Sequence, residues 1–141
     1  MGSLRTLSNE SLAAVCNQCH PGWAEVATKG PEGVLNVRMQ FYRLTNSRCY
    51  DSVDRRISCT ACHDPHGDLS TDMAAYDSKC QTCHSPAGGR GVRTAKAPKT
   101  CPVASRDCVS CHMPKVEIPG LHYQFTDHQI RIALKGAPYP K

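Results

Sequence analysis

The pentapeptide Cys-x-x-Cys-His occurs four times in this chain, and it constrains the fold more than any other feature. Two cysteines at this spacing can both form thioether bonds to the vinyl groups along one edge of a porphyrin. The histidine that follows then lies beneath the iron and becomes its proximal ligand. The four motifs occupy residues 16–20, 59–63, 80–84 and 108–112. They predict four covalently attached c-type haems.

Zinc binding is the alternative explanation for paired cysteines, because two Cys-x-x-Cys pairs share one metal ion in a zinc ribbon. Here a histidine follows every pair, although only 7 of the 141 residues are histidine. A zinc ribbon gives no reason for that coincidence, so haem is the preferred interpretation. The expected attachment residues are Cys16, Cys19, Cys59, Cys62, Cys80, Cys83, Cys108 and Cys111, and the expected proximal ligands are His20, His63, His84 and His112.

Three histidines lie outside the motifs, namely His66, His122 and His128. In a chain with four irons, each of them is a candidate for the opposite, distal position. His66 follows His63 too closely to bind the other face of the same iron, so we expect it to reach a neighbouring haem. We also expect the carboxylate of Asp127 to hydrogen-bond the imidazole of His128 and strengthen it as a ligand.

Three spare histidines cannot serve four irons, so one haem lacks a distal histidine. We expect this to be the first haem, because no spare histidine lies near it in sequence. Met39 is the preferred candidate for the sixth ligand, although it also suits a plain core position. Met73, water and a side chain of another chain are the alternatives.

Two cysteines, Cys49 and Cys101, belong to no motif. Two unassigned thiols in an exported protein favour a disulfide, which here would close a loop around the second and third haems. Free buried thiols and a bond to another chain are the alternatives.

The chain's own side chains make only a thin core, since it has one Trp, two Phe and five Tyr. The predicted haems are large, flat and apolar, so they would form most of the core. We therefore expect a mainly irregular fold with short α-helices, wrapped as a multihaem cytochrome c around a packed haem stack. We expect one tetrahaem domain over residues 1–141, in which residues 1–12 and 136–141 are candidate flexible ends.

Local patterns predict short helices over residues 8–19, 70–80 and 106–111, and loops over residues 28–33 and 85–100. Residues 35–41 alternate between apolar and polar types, which favours an extended strand. A helix over the same residues is the alternative.

The formal net charge of +5 would by itself suggest an anionic partner. Each oxidised haem adds about −1, because two propionates outweigh the charge of the ferric porphyrin, so four haems bring the net charge to about +1. We therefore expect no binding of nucleic acid.

No segment has the length and hydrophobicity of a transmembrane helix. Haem attachment takes place outside the cytoplasm, so we expect a periplasmic or extracellular protein. Since no signal peptide is recognisable, we expect the chain to be a mature form, a fragment or an engineered piece.

Four stretches of the sequence carry a resemblance to a known family. They are Cys-Thr-Ala-Cys-His-Asp-Pro-His-Gly from residue 59, Cys-Gln-Thr-Cys-His from residue 80, Cys-Val-Ser-Cys-His-Met-Pro-Lys from residue 108 and Phe-Thr-Asp-His-Gln-Ile-Arg-Ile from residue 125. Over about residues 14–132 the chain resembles bacterial periplasmic multihaem cytochromes related to pentahaem nitrite reductase and to the cytochrome partner of hydroxylamine oxidation, including forms joined to TPR repeats. The resemblance implies haems in parallel and perpendicular pairs, mostly with two histidine ligands, and it supports His66 and His128 as distal ligands.

The expected function is electron transfer at low potential, with redox partner proteins or other multihaem cytochromes as partners and no catalytic acid or base. A small reductase with one five-coordinate haem is the enzymatic alternative. Arg38, Arg43 and Lys115 are then candidates to hold an anionic substrate. The third possibility is a subunit of a polymeric haem wire, that is, a homo-oligomer or filament.

Overall fold

The computed structural model describes residues 3–20, 33–85 and 100–133. Within these residues the chain forms short helices, irregular connections and a two-stranded sheet. That this chain wraps a haem stack stays a prediction. The α-helices are α1 (Asn9–Cys16), α2 (Gln40–Thr45), α3 (Cys59–Cys62), α4 (Asp77–His84) and α5 (Cys108–His112). The 3₁₀ helices are Leu4–Thr6, Gly33–Arg38 and Met73–Tyr76, and the strands are β1 (Lys115–Glu117) and β2 (Gln124–Thr126).

Helix α1 begins where the sequence predicts. The hydroxyl of Ser8 accepts a hydrogen bond from the backbone N–H of Ser11 at 3.1 Å, which caps the helix. Leu12 and Ala13 are buried on one side of the helix. The helix ends at Cys16, and the predicted extension to residue 19 is a series of turns instead.

The N-terminal helix α1 is hydrogen-bonded to the middle of the chain. The side-chain amide of Asn9 is 1% exposed and donates to the carbonyls of Asp51, Asp54 and Ile57 at 3.2, 3.1 and 3.4 Å. These bonds fasten α1 to a segment more than 40 residues away. Residues 1–2, the predicted flexible end at 136–141, and most of the predicted loops at 28–33 and 85–100 lie outside the described residues.

The strand predicted over residues 35–41 is wrong, and the helical alternative is confirmed. A 3₁₀ helix covers Gly33–Arg38, and α2 follows it after Met39. The N–H of Met39 bonds to the carbonyl of Asn36 at 2.9 Å, and the N–H of Arg43 bonds to the carbonyl of Met39 at 2.8 Å. A strand at this position would need a neighbouring strand to satisfy its backbone groups, whereas the helices satisfy them locally.

A β-hairpin after the fourth motif was not predicted. Strands β1 and β2 are antiparallel, with Val116 opposite Phe125. The turn that leaves β1 contains Pro119 and Gly120, and Gly120 has φ +82°. The N–H of Leu121 closes this turn on the carbonyl of Ile118 at 3.0 Å. Proline followed by glycine with positive φ is the signature of a type II turn, so these two residues fix the start of the loop.

The buried apolar side chains are few and come from α1, α2, the 3₁₀ helix Gly33–Arg38, α5 and the residues next to them. Within the described residues the core consists of Leu12, Ala13, Val37, Met39, Phe41, Val109 and Ile118. Several other large apolar side chains are exposed, with Tyr123 at 73% and Ile132 at 78%. The described part of the polypeptide therefore encloses few of its own apolar groups.

Candidate haem-binding site

All four Cys-x-x-Cys-His motifs adopt helical or turn geometry. The second motif begins with α3, the third lies at the end of α4, and the fourth is α5. The first motif follows the end of α1, where the N–H groups of Cys19 and His20 both bond to the carbonyl of Cys16, at 3.1 and 3.0 Å. Residues three apart lie on the same side of a helical turn, so both cysteines of a motif can reach one porphyrin edge.

The two cysteines of a motif differ in solvent exposure in three of the four motifs. The first cysteine of every motif is half-buried, whereas Cys19, Cys62 and Cys111 are exposed. Cys83 is half-buried. A cavity of about 250 Å³ lies beside Cys62 and is lined in part by His63, Leu69 and Tyr76. Open space therefore lies next to the second motif.

The motifs adjoin one another, although the first is 38 residues from the second in sequence. Cys59 and Cys16 are close enough for Cys16 to raise the pKa of Cys59, so the first and second motifs are neighbours. Cys62 lies within electrostatic range of Cys80. Cys80 and Cys108 are close enough for each to shift the pKa of the other, so the third and fourth motifs are neighbours as well. The fold therefore brings all four attachment sites into one region.

Burial determines the protonation of these thiols in the polypeptide itself. It raises the pKa of Cys59 to about 11, with the neighbouring Cys16 as the next cause. It also raises the pKa of Cys108 to about 12, to which a hydrogen bond with Asp77 contributes. Burial raises the pKa of Cys62 and Cys80 as well. These thiols are therefore neutral at pH 7.

Asp77 links the third motif to the fourth. Its carboxylate accepts the backbone N–H of Asp107 at 2.7 Å and that of Cys108 at 2.9 Å. These are N–H groups at the start of α5 that have no partner within the helix. Asp107 itself has φ +54° and offers no side-chain cap. A residue on α4 therefore caps the helix that carries the fourth motif.

The histidine of the fourth motif, His112, is oriented by the backbone of Arg131. Nδ1 of His112 is 2.9 Å from the carbonyl oxygen of Arg131, and the N–H of Arg131 donates to the carbonyl of His112 at 3.1 Å. A carbonyl oxygen only accepts, so Nδ1 carries the proton and Nε2 keeps its lone pair in the neutral ring. A hydrogen bond of this kind commonly holds a metal-binding imidazole in place.

His128 shows the same arrangement. Its Nδ1 is 3.0 Å from the carbonyl oxygen of Thr126, which leaves Nε2 free to bind a metal. Burial lowers the pKa of this imidazole and favours its neutral form. The expected bond from Asp127 to His128 is not formed, because both carboxylate oxygens of Asp127 bond to Arg43, each at 2.9 Å.

His63 lies close to His128 in space. The centroids of the two rings are 6.2 Å apart, and their planes are inclined by 45°. Tyr76 makes an edge-to-face contact with His63 at 5.8 Å. His20 is within electrostatic range of both imidazoles. Burial lowers the pKa of His63, and the neighbouring His20 lowers it further. The fold thus brings together two predicted proximal ligands and one predicted distal ligand.

The remaining predicted ligands differ in their exposure. His66 and His84 are exposed, and His122 is exposed in the loop between β1 and β2. Met39 is 5% exposed and packs within the small apolar core. Its position fits the core role that the sequence left open.

The predicted disulfide between Cys49 and Cys101 is not formed, since both are free thiols in the structure. Cys49 is half-buried within electrostatic range of Cys80 and Cys83. Cys101 is exposed, and its sulfur accepts hydrogen bonds from the N–H groups of the nearby Ala104 and Val103. The two thiols therefore lie in different surroundings.

The candidate anion-binding residues also differ in their surroundings. Arg43 is 1% exposed and is paired with Asp127, so it cannot hold a substrate. Arg38 is half-buried at the end of a 3₁₀ helix, and Lys115 is exposed on β1.

Sequence reasoning missed three groups that position the imidazoles: the carbonyls of Thr126 and Arg131 and the ring of Tyr76. No sequence signal marks the two carbonyls, because every residue has one. Tyr76 lies four residues before the third motif, and nothing in that spacing connects it with the second motif.

Among residues 3–20, 33–85 and 100–133, no group of three or more His, Cys, Asp or Glu side chains has the geometry of a metal-ion site. A haem iron needs only one proximal imidazole from the protein, because the porphyrin provides four nitrogens. The donor set fits haem: paired thiols on helical turns, and imidazoles whose Nε2 is available. No helix in the described residues is long and apolar enough to cross a membrane.

Comparison of the chain with protein-family models, curated proteins and solved structures finds no match.

Proposed function

We propose that this chain is a multihaem c-type cytochrome that transfers electrons through four covalently attached haems, mostly with two histidine ligands. The structural observation that carries the proposal is the orientation of His112 and His128. Each has Nδ1 on a backbone carbonyl, so each presents Nε2 as a metal ligand. His112 is a predicted proximal ligand, and His128 is a predicted distal ligand.

The residues of the chain have distinct roles in this proposal. The eight motif cysteines bind the cofactors covalently. The histidines bind and orient them, and the backbone carbonyls of Thr126 and Arg131 fix two of these imidazoles. When bound, the haems supply reversible one-electron chemistry at low potential. The polypeptide is then a scaffold, in which no side chain serves as a catalytic acid or base.

The proposed partners are redox proteins or other multihaem cytochromes, and the proposed location is periplasmic or extracellular. Haem attachment outside the cytoplasm supports the location. The net charge of about +1 that we expect with four oxidised haems does not favour nucleic acid as a partner.

A reductive titration of the matured protein, followed by its absorbance spectrum, tests this function. We expect four electrons to be taken up per chain and released again on reoxidation, with no turnover of nitrite. Catalytic oxidation of the reduced protein by nitrite would instead favour the reductase. A colourless protein that contains zinc would overturn the proposal.

A further inference from the structure

The separation of the His63 and His128 rings matches that of two ligands on one metal ion. Their centroids are 6.2 Å apart. Two imidazoles that bind one ion from opposite sides, with metal–nitrogen bonds of about 2 Å, have ring centres about 6 Å apart. The 45° between the ring planes does not conflict with this, because each ring can rotate about its metal–nitrogen bond.

We propose that His63 and His128 are the two axial ligands of the same iron, that of the haem attached through Cys59 and Cys62. This inference rests on the proposed function and deepens it, because it assigns one distal histidine to one haem. Both axial positions of the iron in the second haem are then occupied by histidines of this chain. An open iron, as a reductase requires, must belong to another haem.

Each of the two imidazoles is held in place by its own contact. The ring of Tyr76 packs edge-on against His63, and its hydroxyl donates to the carbonyl of Ser70 at 3.0 Å. Nδ1 of His128 donates to the carbonyl of Thr126, so Nε2 is the available nitrogen. The two rings are therefore kept at their spacing by separate parts of the chain.

The segment that carries His128 also supports the fourth haem. Three residues after His128, the backbone of Arg131 exchanges two hydrogen bonds with His112, one to the ring and one to the main chain. One stretch of chain thus provides the distal ligand of the second haem and orients the proximal ligand of the fourth.

The first test replaces His128 in the full, matured chain. His128→Ala should leave one additional iron per chain high-spin by low-temperature electron paramagnetic resonance. The reduced variant should bind one additional carbon monoxide per chain, and added imidazole should restore the low-spin signal. Gln124→Ala is the matched control, because Gln124 is exposed on the neighbouring strand and should add no open iron. An unchanged count of open irons in His128→Ala would overturn the proposal.

A second test locates the iron concerned. In a chain that lacks the second haem, made by Cys59→Ala with Cys62→Ala, the further change His128→Ala should add no open iron. If it still adds one, His128 binds another haem, and the neighbouring His20 makes the first haem the alternative. This outcome would overturn the assignment.

The unaltered protein provides a measurement that does not depend on folding of the variants. Ring protons of ligands on one iron lose their paramagnetic shifts together. We therefore expect His63 and His128 signals to change at the same step of a reductive titration followed by nuclear magnetic resonance. Changes at different steps would overturn the pairing while leaving the tetrahaem function intact. Absence of haem from the protein would instead overturn the function.

Discussion

Arg43 and Asp127 form a buried, two-point ion pair, with Nε to Oδ1 and Nη2 to Oδ2 both at 2.9 Å. The two side chains are 1% and 0% exposed. The pair connects α2 to the residue directly before His128, and Arg131 approaches the same carboxylate at 3.5 Å. The ion pair therefore fixes the segment that carries the imidazole of His128.

Removal of one partner of this pair should be costly. Asp127→Asn leaves the guanidinium of Arg43 buried without a counter-charge, and we expect a loss of about 3–5 kcal/mol in the free energy of unfolding. The double variant Arg43→Met with Asp127→Leu should lose less, because it removes the fully buried guanidinium together with the carboxylate. Denaturant unfolding of the matured protein measures both values.

The matched control for this prediction is an ion pair that solvent reaches. Arg56 and Asp54 are joined at 2.6 Å, but their side chains are 34% and 21% exposed. Because such pairs contribute little, Asp54→Asn should cost less than about 1 kcal/mol. Equal losses for Asp54→Asn and Asp127→Asn would show that the buried pair has no special role.

The contact between Asp77 and the start of α5 should make the stability of the protein depend on pH in the acidic range. The N–H groups of Cys108 and Asp107 donate to this carboxylate and lower its pKa from the ordinary value of 3.8. Because the pKa is lower in the folded state than in the unfolded state, the ionised carboxylate stabilises the folded protein. This stabilisation is complete above about pH 4 and is lost as the pH falls through the lowered pKa.

Asp77→Asn should therefore lower the melting temperature at pH 7. Between about pH 5 and about pH 2, the melting temperature of the variant should decrease less than that of the unaltered protein. Thermal unfolding of both proteins across this range measures the effect. Parallel curves for the two proteins would contradict the assigned role of Asp77.

The two cysteines outside the motifs should be free and unequal in reactivity. Hydrogen bonds from the N–H groups of Ala104 and Val103 lower the pKa of exposed Cys101 from the ordinary value of 9.0, whereas burial raises that of Cys49. Since the thiolate is the reactive form, Cys101 should be alkylated first at pH 7, and Cys49 only slowly.

Alkylation followed by peptide mass analysis tests this order. Cys101→Ser should remove the fast phase and leave the slow one. In denaturant, the two thiols should react at similar rates. A matured protein with no reactive thiol and a bond between the two cysteines would contradict the structure and restore the disulfide predicted from the sequence.

Backbone strain at Asp107 offers a further prediction. Its φ of +54° is left-handed, a conformation that costs residues with a Cβ about 1–2 kcal/mol, although aspartate tolerates it better than most. Asp107→Gly should keep or raise the melting temperature, and Asp107→Val should lower it. Destabilisation by glycine equal to that by valine would show that the exposed carboxylate of Asp107, rather than its backbone angle, matters at this position.

The sequence was sufficient where local rules decide the structure. The Ser8 cap of α1 and the helix after Asp72 follow from side chains that bond to backbone groups a few residues away.

Long-range contacts could not be predicted in the same way. Within the part of the chain that the structure describes, the alternating residues 35–41 pair with no strand and are helical instead. Asp127 appeared suited to His128 because the two are adjacent in sequence, but Arg43 binds its carboxylate from 84 residues away. The carbonyls that orient His112 and His128 carry no side-chain signal at all.

The intact mass of the protein, matured in a host that attaches haem outside the cytoplasm, tests the central claim most directly. We predict a mass increase equal to four haems, lost one haem at a time when both cysteines of a motif are replaced. An unmodified mass, together with bound zinc, would contradict the proposal that this chain is a tetrahaem cytochrome.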